Sequence, residues 1–170
     1  LSGKALLAQT SAYQNKKKRV ELASKFIQGA AWNMVMNLNY YNRRGKDLQD
    51  IIDTIKRLSN TLPDAKAVDE IMGIEGNIRQ AYYAAFDIIL DDFNMGSRTK
   101  QPPENEVNAL ISFGNMMCYT ETLRAVHQTQ LNPTISFLHT PGERRFSLCL
   151  DISEIFKPII VDRVIFKVLN

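Results

Sequence analysis

Apolar residues recur with a helical period along nearly the whole chain. From about Lys16 to Asn42, Val20, Ile27, Met34 and Tyr41 return every seven residues, with Ala31 and Leu38 between them, which predicts a helix with one buried stripe. Leu48, Ile51, Ile52, Ile55 and Leu58 predict a second helix over about Asp47 to Asn60. A third is expected to open at Pro63-Asp64, with acidic residues in its first turns. Gly96-Ser97 and Pro102-Pro103 bound a loop from about Asn94 to Pro103. A fourth helix follows to about Gln128, with Glu104 and Glu106 suited to its N-terminal dipole. Pro133 then opens a loop over Leu131 to Glu143, and the last helical segment starts near Ser147, with a kink or break expected at Pro158. No strand alternation of useful length and no internal repeat is present. The expected class is all-α. The start at Leu1 without Met and the end inside an apolar run predict one helical domain, residues 1–170, cut from a longer chain.

Composition narrows the picture by exclusion. Over 170 residues, 45% hydrophobic and 23% charged side chains fit an ordinary globular domain and exclude a disordered tail or a cysteine-stapled miniprotein. No apolar run nears the roughly 20 residues of a spanning helix, so no membrane role is expected. Cys118 and Cys149 belong to no Cys-x-x-Cys pair and read as buried, reduced thiols of a cytoplasmic protein, with a disulfide left open. A net charge of +3 decides nothing about nucleic acid by itself, so placement matters. The basic groups are Lys16-Lys17-Lys18-Arg19, Arg43-Arg44 with Lys46, Arg98 with Lys100, and Arg144-Arg145. Arg144-Arg145 lies where it can hold a phosphate beside the residues described next. Trp32, Tyr82 and Tyr83 could stack bases, but aromatic residues at helical spacing are more often core, and they receive no role.

The third helix carries the first chemical signal. Its stripe reads Val68, Ile71, Glu75, Ile78, Tyr82, Ala85, Ile89, with a carboxylate among apolar positions. Such a Glu needs a cationic partner, Arg79 being the nearest candidate, or a metal ion, unless the centre of the stripe faces solvent. Gly73 and Gly76 flank it at a cost of about 1 kcal/mol each in helix propensity, which suggests close approach of another group. Asp151 and Glu154, three apart, share a helix face, and His139 sits on a loop fifteen residues before Glu154. A His with carboxylates and no Cys suits Mn²⁺ or Mg²⁺ better than structural zinc. Gathered without a cation, the three carboxylates should leave at least one with a raised pKa. Phosphate-loop, dinucleotide, His-Glu-x-x-His and Gly-x-Ser-x-Gly motifs are all absent.

Several blocks in order resemble one family. They are Gly73-Ile74-Glu75-Gly76-Asn77-Ile78-Arg79, then Pro102-Pro103-Glu104-Asn105-Glu106 running on to Ser112-Phe113-Gly114, then Ser136-Phe137-Leu138-His139, and finally Ser147 through Arg163. Together they resemble the CRISPR-associated integrase-nuclease family, the first of the Cas series. The resemblance implies a helical catalytic domain separated here from an N-terminal β-rich domain. It implies a Mn²⁺ or Mg²⁺ site built from Glu75, His139 and Glu154, with Asp151 as an adjacent catalytic acid. It also implies a homodimer that joins a small ferredoxin-like second Cas protein and inserts short DNA segments into a CRISPR array. Arg144, Arg145, Lys16, Lys17, Lys18, Arg19, Arg98 and Lys100 are the expected DNA contacts. The rival reading is a helical DNA-binding or assembly module without chemistry of its own.

Overall fold

The structure, a computed structural model, describes residues 2–142 and 146–170. Among the described residues it contains eight α-helices and no strand element. These are α1 (Gly3–Gln14), α2 (Lys16–Asn42), α3 (Gln49–Ser59), α4 (Val68–Ala84), α5 (Phe86–Ile89), α6 (Glu106–His127), α7 (Ser147–Lys157) and α8 (Arg163–Leu169).

The seven-residue stripe places α2 at the centre. Ile27, Ala31, Met34 and Leu38 are buried, and α2 packs against α1, α3, α4 and α7. Its start carries three consecutive lysines, and Asn15 caps it by accepting the Lys18 N–H at 3.0 Å. From α3, Leu48, Ile52 and Ile55 join the same core; from α4 and α5, Ile71, Ile78, Tyr82, Phe86 and Ile89 do so. Phe86 and Phe166 meet with centroids 4.5 Å apart, which brings α8 onto α5.

Three features depart from the sequence expectation. Helix α1 carries no apolar stripe and leaves Leu7 exposed, yet it forms and is tied down by Gln9. The Pro63-Asp64 start yields only a 3₁₀ turn, Leu62–Asp64, because the chain extends at Ala65 before α4 begins at Val68. The Glu70 carboxylate then reaches back to accept the Lys66 N–H at 2.9 Å, which fixes the α4 entry. The third helix also ends earlier than its stripe, at Ala84.

The α-helix ends at Pro158 as expected, and the chain goes on through a π-helical segment, Pro158–Asp162, into α8. Proline has no N–H to donate, so the ladder must shift and carbonyls are freed. Two carbonyls of this stretch bond to asparagines of α2: Asn33 Nδ2 donates to the Ile155 carbonyl at 2.7 Å, and Asn37 Nδ2 to the Pro158 carbonyl at 3.2 Å, which also accepts the Arg163 N–H. Asn37 also donates to the Tyr82 hydroxyl at 3.0 Å, joining α2, α4 and the π segment at one buried point. Helix α6 approaches this segment so closely that a Cβ at Gly114 would overlap the Val161 side chain. Gly114→Ala should therefore destabilise the protein by about 1–3 kcal/mol, read by denaturant titration, despite the better helix propensity of Ala.

Candidate active site

Three separate elements deliver the candidate side chains to one cleft of about 770 Å³. Glu75, Gly76, Arg79 and Tyr83 come from α4; Asn115 comes from α6; Glu154 and Lys157 come from α7. The loop after α6 contributes His139, and the loop before α6 contributes Arg98 and Lys100.

The His139 loop is held in place by hydrogen bonds from three directions. Gln9 of α1 donates to the carbonyls of Asn132 and Ile135, both at 2.9 Å, and accepts the Asn132 N–H. Arg19 Nε donates to the Phe137 carbonyl at 3.0 Å, with its guanidinium over the Tyr13 ring. Asp151, completely buried, accepts the backbone N–H groups of Phe137, Leu138 and His139 at 2.7, 2.9 and 3.0 Å. Its Oδ1 also meets His139 Nδ1 at 2.8 Å. A carboxylate already filled with donors can only accept, so Nδ1 donates to it and Nε2 is the ring nitrogen left for another partner. Asp151 thus stands behind His139, with its oxygens spent on the loop.

Glu75 and Glu154 are joined by one guanidinium. Arg79 Nε donates to Glu75 Oε1 at 2.5 Å, and its Nη2 bonds Glu154 Oε2. Lys157 bonds the other oxygen of Glu154. The raised carboxylate pKa expected of a like-charge cluster is therefore not found at Glu154. Burial pushes that carboxyl up, but Arg79 and Lys157 outweigh it and hold it at about 2. A carboxyl held that low contributes stability above its ordinary value near 4.5 and loses it as pH falls toward 2. Gly73 and Gly76 are exposed, and among the described residues nothing beyond their own stretch of helix lies within 4 Å of where their Cβ atoms would be. The close approach they suggested is not made by the described residues.

Cations dominate the cleft. Its charged lining is Arg79, Arg98, Lys100 and Lys157 against Glu75 and Glu154, besides His139. Buried Asn108 holds Arg98 there: its Oδ1 accepts Arg98 Nη1 and the Thr99 N–H, both at 3.0 Å, while its Nδ2 donates to the Ser97 carbonyl. Lys16, Lys17 and Lys18 are exposed at the start of α2 and do not line the cleft, and Arg19 is occupied by the loop. Arg144 and Arg145 lie outside the described residues. Sequence reasoning assigned no role to Lys157 or Asn108. Lys157 was visible as a cation three residues after Glu154, on the same helix face. Asn108, on a loop-facing helix turn, carried no such signal. Cys118 and Cys149 are buried free thiols.

A second buried acid lies behind the cleft. Asp162, in the π segment beside Tyr82, is pushed by burial from 3.8 up to about 7. A raised carboxyl costs stability as pH climbs from its unfolded to its folded value, and the full cost persists above. Asp162→Asn should thus stabilise the protein at pH 8, by roughly 2–4 kcal/mol, and change little below pH 4. Thermal melts across that range check the sign.

Fold and cleft define an all-α domain that sets two carboxylates and an oriented imidazole among an excess of cations. The chain belongs to the Cas1 family: a sequence profile of "CRISPR associated protein Cas1" matches residues 1–170. It is 52% identical to the CRISPR-associated endonuclease Cas1 of Fusobacterium nucleatum over 100% of this chain and 51% of that protein. A solved Cas1 protein from Thermotoga maritima superposes with a TM-score of 0.90 at 40% identity, over 99% of this chain and 53% of that one. A casposase bound to its integration product matches with a TM-score of 0.85 at 25% identity, over 98% of this chain and 49% of the casposase. The chain therefore spans about half the length of the relatives it matches. Among the described residues no helix is long and apolar enough to cross a membrane.

Proposed function

We propose that this chain is the catalytic domain of a metal-dependent DNA endonuclease-integrase that inserts short DNA segments into a CRISPR array. The observation that carries the reading is the convergence of Glu75, His139 and Glu154, from three elements, on one cleft whose cations outnumber its carboxylates. The names of the relatives, an endonuclease and a casposase bound to an integration product, support it.

The donor set suits a hard divalent cation, Mn²⁺ or Mg²⁺. It offers two carboxylates, an imidazole whose Nε2 is left for another partner, and no thiol. Among the described residues Asn115 Oδ1, in the same cleft wall, is buried without a hydrogen-bond partner, a further oxygen to accept a donor or face a cation. Among the described residues no three His, Cys, Asp or Glu side chains form a ready cluster, and Arg79 stands between the two glutamates. We therefore infer that Glu75, Glu154 and His139 would hold the ion once Arg79 gives up one or both carboxylates. When bound, such an ion supplies Lewis-acid polarisation of a phosphoryl oxygen. Asp151 keeps the His139 tautomer and loop in register. Arg98, Lys100 and Lys157 hold the anionic strand against the cleft, and displaced Arg79 turns to a phosphate. A homodimer, and assembly with a small ferredoxin-like second Cas protein, belong to the same proposal.

Arg79 also favours a second reading, a DNA-binding module in which the glutamates are only structural ion-pair partners. Nicking and strand joining of labelled DNA, with and without Mn²⁺, separates the two. Wild type should act only with the ion, and Glu75→Gln and His139→Ala should each lose at least about 100-fold while still binding DNA. Undiminished cleavage by both variants, or none by wild type with Mn²⁺ or Mg²⁺, would leave the module.

A further inference from the structure

Away from the cleft, a second open pocket of about 520 Å³ lies between the end of α2 and the start of α8 and shares no lining residue with it. Its charged lining is Arg43, Arg44 and Arg163, with no carboxylate. The Arg44 guanidinium stacks over the Tyr40 ring at 3.7 Å, and that of Arg163 lies 6.0 Å from it. Among the described residues none of the three arginines is in an ion pair. Lys46, from the same basic run, differs: it is paired with Asp91 at 2.5 Å. The dipole at the end of α2 accounts for cations at 43 and 44 but not for Arg163, which comes from another element. Three unpaired like charges around one pocket are a site for an anion.

The same face of α2 continues as an aromatic strip. Trp32, Met36 and Tyr40 follow at intervals of four residues and are 68%, 52% and 46% exposed. Trp32 thus departs from the core position that its spacing implied. Trp32 and Tyr40 stand about 12 Å apart along the helix, a distance that a few nucleotides of extended strand cover. Aromatic rings beside a row of cations take unpaired bases and their phosphates, whereas a duplex keeps its bases stacked on one another. A protein partner covering the apolar strip would instead strand three guanidiniums out of water unless it brought matching carboxylates.

We propose that this face is a second nucleic-acid site, a track for a single-stranded DNA segment with phosphates on Arg43, Arg44 and Arg163 and bases against Tyr40 and Trp32. It rests on the reading that the protein handles DNA, but not on the chemistry of the cleft. The test is salt-dependent anisotropy of a fluorescent single-stranded oligonucleotide and of the matching duplex, with wild type, Glu75→Gln, the triple variant Arg43→Gln/Arg44→Gln/Arg163→Gln, and Tyr40→Ala/Trp32→Ala. A bromodeoxyuridine-substituted strand is photocrosslinked in parallel. All five substituted positions of the two patch variants are exposed, so their melts should match wild type. The triple variant should lose at least tenfold in single-strand affinity, and its salt slope should fall by about 2, near 0.7 for each lost phosphate contact. The aromatic variant should weaken the single strand more than the duplex, and crosslinks should map to Tyr40 or Trp32. The same loss is expected when the triple change is made in the Glu75→Gln background. If wild type binds the strand and the triple variant matches it in affinity and slope, this site is overturned while the cleft reading stands. If wild type binds no DNA, both fall. If the patch variants bind DNA normally but lose self-association, the face is a protein interface and the proposal is wrong.

Discussion

Arg79→Gln will destabilise the ion-free protein by about 3 kcal/mol, and saturating Mn²⁺ will restore most of that loss. Arg79 is the group that both Glu75 and Glu154 lean on, and the side chains are 22%, 19% and 9% exposed. Removing a shared cation leaves two carboxylates poorly hydrated and close to each other, and breaking a buried pair from one side typically costs about 3–5 kcal/mol. The lower end applies because Lys157 still neutralises Glu154. A divalent ion bound by the same carboxylates replaces the missing charge. It adds stability by linkage, about 2.7 kcal/mol at a concentration a hundredfold above its dissociation constant. Without a competing guanidinium the variant should also bind Mn²⁺ more tightly than wild type. Chemical denaturation of both proteins over a Mn²⁺ series checks this. A variant equally destabilised at every Mn²⁺ concentration would show that the ion and Arg79 do not share the glutamates.

Asp151→Asn will cost stability and orientation together. The Asp151 oxygens accept three backbone N–H groups and the His139 imidazole, and an amide can offer only one oxygen in their place. The amide nitrogen would face donors, and each hydrogen bond lost to a charged acceptor is worth about 1.5–3 kcal/mol. A loss of roughly 3 kcal/mol or more is expected, with the 136–139 turn loosened. The same change removes the acceptor that fixes the His139 proton on Nδ1, so Mn²⁺ affinity or turnover should drop about 10–100-fold. Imidazole nitrogen shifts read by NMR would report the tautomer directly. An Asp151→Asn variant as stable as wild type, with His139 still protonated on Nδ1, would mean the loop is held elsewhere.

The elements that hold the core were legible because their apolar spacing was regular. The α2 stripe, Leu48–Ile55 and Ile71–Ile89 are buried much as the period required. Helix α1 was not legible, since its one buried residue is the polar Gln9 and only Ala12 and Tyr13 at its end pack on an apolar cluster. The end of the α-helix at Pro158 was legible, but the π segment beyond it was not, because its partners Asn33 and Asn37 lie more than a hundred residues away. At the cleft, Glu75 stood out as a carboxylate on an apolar stripe, and its readings were an ion pair, a solvent-facing position or a metal. The structure shows the ion pair, with Glu154 drawn into it, a link between α4 and α7 that no local pattern encodes. Trp32 was read as core from spacing alone, although a period cannot say which face of a central helix is left uncovered.

Function as proposed requires Glu75, His139 and Glu154 to surrender Arg79 to a divalent ion. A crystal structure of the protein grown with Mn²⁺, with anomalous differences collected at the manganese edge, tests that exchange without an intermediary. One strong peak is expected within coordination distance of Glu75, His139 Nε2 and Glu154, with the Arg79 guanidinium withdrawn from at least one carboxylate. No peak at saturating Mn²⁺, with Arg79 still bridging both glutamates, would contradict it.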